Sequence, residues 1–237
     1  MATHLRISLT ILSMGFAVEG IAELYSLTTA GALLPGTSWL FLLPALITVL
    51  GLLFILVGKH EWDEVHRNRV HRANTVFVAS LVAGVVAILE LGALALYPAF
   101  GTPWWAELLF GGAAAGFVLG TFVTYSLLVF HLVHTPSKGA LVAAMAWALL
   151  VSAFIGVTLA ADLPSILGLI RARSLSFESL FGPIDYLVSF LFLSYFLLLA
   201  AYVDAHVTVA RGLPRKTRPR GPPGEGPARA QTSNIAR

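Results

Sequence analysis

Acidic residues inside long apolar stretches are the most informative chemical groups of this sequence. Glu19 and Glu23 lie in one apolar run and Glu90 lies in another. Residues four apart share one face of a helix, so the carboxyl groups of Glu19 and Glu23 are expected to occupy one environment. Two carboxylates this close repel each other when both are ionised. The pair is therefore expected to hold one proton or one cation between its two carboxyl groups.

The residues around the glutamates indicate that they point into a helix bundle. Gly15, Ala22 and Ser26 share the face of the pair, which makes that face small and polar. An ionised carboxylate at bilayer depth costs about 2.5–3.5 kcal/mol on insertion scales, so such residues usually face the protein interior or a cavity. Glu19, Glu23 and Glu90 are therefore candidate binding residues for a proton, a cation or a small solute. The alternative is that they are protonated and hydrogen-bond to neighbouring helices.

Histidines and one further acid form a second set of candidate ligands. Imidazole and carboxylate groups suit zinc, iron or manganese, so a divalent metal is the cofactor that these residues could bind. The candidate metal ligands are His60, Glu64, His71, His131, His134 and His206. Their spacing contains no His-Glu-x-x-His motif and no pair of His-x-x-x-His boxes. The alternative is that these histidines are solvated side chains at the membrane interface.

Composition limits the protein to the membrane class. Of its 237 residues, 57% are hydrophobic and only 11% are charged, whereas soluble domains carry about 25% charged residues. Nucleic acid is therefore not an expected partner. The chain has no cysteine, which excludes thiol catalysis and cysteine-ligated metal centres. Phosphate-binding loops and Ser/His/Asp signatures are also absent, which favours a non-catalytic role.

The apolar runs predict an all-α polytopic membrane protein with a bundle of six transmembrane helices. A span needs about 20 mostly apolar residues, and continuous runs favour helices over barrel strands. The predicted spans are residues 7–27, 39–58, 75–97, 107–133, 140–161 and 184–206. Asp162 is a suitable cap and Pro164 suits a first helical turn, so residues 163–183 are predicted to contain a short outer interfacial helix or a re-entrant segment.

The chain divides into a transmembrane domain, residues 1–210, and a C-terminal tail, residues 211–237. The tail has five prolines and seven basic residues against one acid, a composition typical of disorder. Six spans would place 13 of the 15 Lys and Arg residues on the side of both termini. Both termini are therefore predicted to be cytoplasmic, in a multi-pass protein of the cell membrane. The basic tail is also a candidate ligand for anionic lipids.

Small residues in the fourth and fifth spans predict how these helices pack. Lipid provides no hydrophobic drive for helix association, so small residues that allow close approach become informative. They recur every four positions as Gly112, Gly116, Gly120 and Thr124, and as Ala140, Ala144, Ala148, Ser152, Gly156 and Ala160. The two spans are predicted to form a tight antiparallel hairpin. The bulky sixth span is predicted to expose much of its surface to lipid.

These patterns favour a small transporter, channel or permease-like subunit for a proton, a cation or a small solute. One alternative is a membrane-embedded metalloenzyme with a His/carboxylate centre at the cytoplasmic face. Another is a non-catalytic assembly or scaffold protein. A cavity that reaches all three glutamates would favour transport, and the absence of both this cavity and a cluster of metal ligands would favour the scaffold. Convergence of at least four histidine and acidic side chains would favour the enzyme.

Overall fold

The long elements in the described part of the chain are all helices. The computed structural model describes residues 3–28, 50–51, 69–97, 102–172 and 186–211. Its helices are α1 (Thr3–Thr28), α2 (Arg69–Leu96), α3 (Trp104–Val129), α4 (Thr135–Arg171) and α5 (Phe192–Ala210). All five are long and apolar enough to cross a membrane, if the helical turn that begins at Tyr186 is counted with α5. The predicted all-helical class is therefore confirmed for the described residues, and the apolar helices fit the predicted membrane class.

Three predicted features differ from this description or lie outside it. The second predicted span, residues 39–58, lies outside the described residues except for positions 50 and 51, and so does the tail from residue 212. Residues 163–171 do not form a separate outer helix, because α4 continues through Pro164 to Arg171. Leu163 and Leu167 are fully buried, so packing maintains the helix although proline removes one backbone hydrogen bond.

Contacts along the α2–α3–α4 sequence set the relative directions of these helices. Gly84 of α2 lies beside Phe117 of α3, and Ser80 lies beside Gly120. As one residue number rises the other falls, so α2 and α3 are antiparallel. The α3–α4 connection, residues 130–134, is too short for the chain to recross a bilayer, and α4 therefore runs back alongside α3. Arg171, at the end of α4, donates a hydrogen bond of 2.8 Å to the carbonyl oxygen of Leu94 near the end of α2.

The remaining contacts place α5 and α1 in the same bundle. Trp147 Nε1 of α4 donates to the carbonyl oxygen of Phe190 at 2.7 Å, just before α5 begins. Ser194 Oγ of α5 donates to the carbonyl oxygen of Ala144 at 3.0 Å, so α4 and α5 are antiparallel. The Arg6 guanidinium of α1 donates to carbonyl oxygens in the last turn of α5. Thus α1, α2 and α4 begin at one end of the bundle, here called the near end, and α3 and α5 begin at the far end.

The predicted hairpin of the fourth and fifth spans is present as α3 and α4. Gly111 of α3 and Gly156 of α4 bring the two backbones together, and a Cβ at Gly111 would overlap the carbonyl oxygen of Gly156. The prediction that the glycines of the α3 seam pack against α4 is wrong. Gly116 and Gly120 face α2 rather than α4, and a Cβ at Gly112 would meet no atom within 4 Å. The glycines of α3 therefore serve two helix interfaces.

Candidate functional site between α1, α3 and α5

The glutamate pair lies on the side of α1 that packs against α5. Glu23 is buried, with 6% of its surface exposed, and Glu19 is half-buried. Gly20, between them, lies against the ring of Phe196 of α5. Both carboxyl groups interact electrostatically with Tyr195 of α5. The two acids therefore share one environment at a helix–helix interface and influence the same phenol group electrostatically.

Five aromatic rings pack beside this interface, on the side that faces the centre of the bundle. We call them the aromatic cluster: Phe16, Phe122, Tyr125, Tyr195 and Tyr202. The Phe16 ring is fully buried, and its centroid lies 5.0 Å from Tyr125 and 4.9 Å from Tyr202, in edge-on geometry. The Tyr195 centroid lies 5.0 Å from Phe122. The cluster therefore joins α1, α3 and α5 next to the glutamates.

Sequence reasoning missed the aromatic cluster because it treated the bulk of the last span as lipid-facing. Tyr195 and Tyr202 are seven residues apart and so share a helix face. A buried tyrosine needs a partner for its hydroxyl group, and Tyr202 Oη donates to the carbonyl oxygen of Tyr125 at 2.9 Å. Two tyrosines at helical spacing, each with a hydroxyl group to satisfy, are the signal that could have identified this face as internal.

Removal of one hydroxyl group tests the buried hydrogen bond of Tyr202. Tyr202→Phe keeps the ring contacts but leaves the carbonyl oxygen of Tyr125 without this donor. The expected loss of stability is about 1 kcal/mol, measured as a lower thermal unfolding midpoint in detergent. Tyr186→Phe is the matched control, because Tyr186 is half exposed and its hydroxyl can be solvated. Equal unfolding midpoints for the two variants would contradict the proposed contribution of this bond.

Glu90, the third predicted binding residue, lies apart from the pair. It belongs to α2, which packs against α3 and touches α4 at the far end, whereas α1 packs mainly against α5. Within the described residues, α1 and α2 form no extensive interface. The structure therefore brings together Glu19 and Glu23 but places Glu90 in a different helix–helix contact.

The predicted metal ligands are dispersed where they are described. His60 and Glu64 lie outside the described residues, His71 and His131 are exposed, and His206 is half-buried. In the described part of the chain, no group of three or more histidine and acidic side chains could hold a metal ion. The described members of the set therefore do not form the predicted centre by themselves.

His134 has a different role, at the near end of the bundle. Its backbone N–H donates to Asp204 Oδ2 at 2.8 Å, and its Nδ1 lies 2.8 Å from Asp204 Oδ1. His134 is the residue that immediately precedes α4, and a carboxylate is favourable at a helix N-terminus. Asp204 of α5 therefore caps α4, which explains this histidine–carboxylate contact without a metal ion.

The geometry and the chemical groups of the site indicate what it can bind. Its acidic pair lies between apolar helices, aromatic rings pack beside it, and both acids interact electrostatically with a phenol of another helix. Such a set of groups can bind and release a proton. Comparison with family models, with curated protein sequences and with solved structures gives no match to this chain.

Proposed function

We propose that the protein is a small transporter or channel-like membrane subunit that carries protons, with Glu19 and Glu23 as the proton-binding residues. The observation that carries this proposal is the position of the pair. Two carboxyl groups one turn apart lie against α5, at an interface inside a bundle of apolar helices, and both interact with Tyr195. Mutual repulsion and the cost of burying charge favour one shared proton over two free carboxylates.

The packing around the pair supports a proton rather than a larger solute. Phe16 has no exposed surface and contacts the rings of Tyr125 and Tyr202. Side chains therefore occupy the space on the inner side of the pair that a solute would need. Carboxyl and phenol groups can accept and donate protons without such space.

The proposed topology has six spans with both termini in the cytoplasm. Helices α1 and α2 are consecutive in the described sequence and run in the same direction, so the chain between them has to return from the far end to the near end. Gly51, which belongs to the second predicted span, lies beside Leu12 of α1. The excess of basic residues on the side of the termini supports a cytoplasmic near end, and the basic tail would bind anionic lipids there.

Proton flux in proteoliposomes tests the proposed function. The full chain is reconstituted in vesicles that contain a pH-sensitive dye, and a membrane potential is imposed with potassium and valinomycin. The expected result is acidification or alkalinisation that follows the sign of the potential and is absent from protein-free vesicles. A flux equal to that of the protein-free vesicles at both signs of the potential would overturn the proposal.

A reporter fused after Arg237 tests the proposed topology independently of any activity. Cytoplasmic activity of the reporter is expected in intact cells. Its appearance on the external side would reject the cytoplasmic orientation of the C-terminus. A second fusion, with the chain truncated after Thr28, is expected to report the external side, because one span then separates it from the N-terminus.

A further inference from the structure

Glu90 is a half-buried acid with buried carboxyl oxygens, and the proposed mechanism does not use it. Both of its carboxyl oxygens are buried, and neither has a hydrogen-bond partner among the residues that the structure describes. It lies between the buried residues Ala87 and Leu94 on α2, one turn from each. These neighbours place the carboxyl group along the side of α2 that packs into the bundle, at bilayer depth.

The α2–α3 contacts show how far Glu90 lies from the level of the glutamate pair. Because Gly84 is level with Phe117 and the helices are antiparallel, Glu90 is level with about Phe110 of α3. Phe122, which contacts Tyr195 at the level of the pair, is twelve residues further along α3. At a rise of about 1.5 Å per residue, the two levels are roughly 18 Å apart along the bundle. Glu90 therefore lies closer to the far end than the pair does.

No described cation compensates a charge on Glu90. The basic residues of α2 are all at its near end. The charged residues near this level on the packed helices are Glu107 of α3, and Asp162 and Arg171 of α4. Arg171 is exposed and donates to the carbonyl oxygen of Leu94. A carboxylate in apolar surroundings without a cation is costly, and the neutral acid avoids this cost.

We propose that Glu90 is a proton-binding site of its own, independent of the Glu19/Glu23 pair and occupied by a proton at neutral pH. Its place between α2 and α3, far from α1, makes its occupancy independent of the pair. Lipid-soluble reagents can approach it from the bilayer, because the adjacent residues Ile88 and Leu89 are strongly exposed on the outside of α2.

Dicyclohexylcarbodiimide tests this site directly in the full-length protein. The O–H of a protonated carboxyl group adds across one C=N bond of the reagent. The resulting O-acylisourea rearranges to a stable N-acylurea, so the whole reagent is retained and nothing leaves. In lipid nanodiscs at neutral pH, peptide mass spectrometry is expected to find the adduct on Glu90. Labelling should fall as the pH is raised, because the anion does not react in this way.

Variants separate this site from the pair and from the proposed transport. Glu90→Gln should carry no adduct at this position, and Glu107→Gln, a change near the same end of the bundle, should leave labelling of Glu90 unchanged. Glu19→Gln and Glu23→Gln should also leave it unchanged. Absence of an adduct on wild-type Glu90 at neutral and acidic pH would overturn the proposal, and so would altered labelling in either pair variant. The readout requires no flux, so a failed transport assay leaves it intact.

Discussion

Glu19→Gln and Glu23→Gln are each expected to abolish proton flux while the protein still inserts and folds. Glutamine keeps the shape and most of the hydrogen bonding of glutamate but cannot take up or release a proton at neutral pH. A shared proton also needs both acids, because each favours the protonated form of the other only while it can itself carry a negative charge. The measurement is the dye assay in proteoliposomes, with equal amounts of reconstituted protein.

The matched control for these two variants is Glu107→Gln. Glu107 lies in the first turn of α3, away from the aromatic cluster, and this variant is expected to keep wild-type flux. Size-exclusion elution and thermal unfolding in detergent establish that each protein is folded. Wild-type flux in folded Glu19→Gln and Glu23→Gln proteins would show that the pair only joins helices.

Gly111→Ala is expected to produce the largest loss of stability from a single added methyl group. The new Cβ would overlap the backbone carbonyl oxygen of Gly156 and crowd Ala160. A backbone atom cannot rotate away as a flexible side chain can, so α3 and α4 have to separate. Overpacking of this kind costs about 1–3 kcal/mol, seen as a lower unfolding midpoint in detergent.

The neighbouring glycine provides the control for that substitution. Gly112→Ala adds the same methyl group to the same helix, but a Cβ there meets no atom within 4 Å. Alanine is also the better helix former, so this variant is expected to match or slightly exceed wild-type stability. Equal destabilisation by Gly111→Ala and Gly112→Ala would contradict the close contact of α3 with α4.

The positions of the helices in the sequence were predictable, but which helices pack against each other was only partly predictable. Long apolar runs predicted the described spans because every backbone group in lipid has to be satisfied within its own helix. The short connection between α3 and α4 predicted their antiparallel contact. The period of four in Gly112, Gly116 and Gly120 could not specify the partner helix, because a smooth surface fits any close helix. The structure assigns the last two of these glycines to α2.

For the candidate site too, the sequence predicted which residues share a helix face but not which helices lie next to each other. The spacing of one helical turn between Glu19 and Glu23 was enough to predict that their carboxyl groups share one environment, since both residues lie on the same helix. The distance of Glu90 from them depends on the order of helices around the bundle, which local spacing does not contain. The boundary at Pro164 was misplaced for a related reason. Tertiary packing of Leu163 and Leu167 outweighed the local preference of proline for a first turn.

The length of α4 has a consequence for the way in which the protein sits in lipid. Its 37 residues correspond to a rod of roughly 56 Å, whereas the hydrocarbon layer is only about 30 Å thick. Even a strongly tilted α4 therefore extends beyond the acyl chains. Arg171 donates a hydrogen bond from the last turn of α4 to α2. The part of α4 that extends beyond the acyl chains therefore stays in contact with the bundle. Because α4 is longer than the layer is thick, it can span bilayers of different thickness at different degrees of tilt.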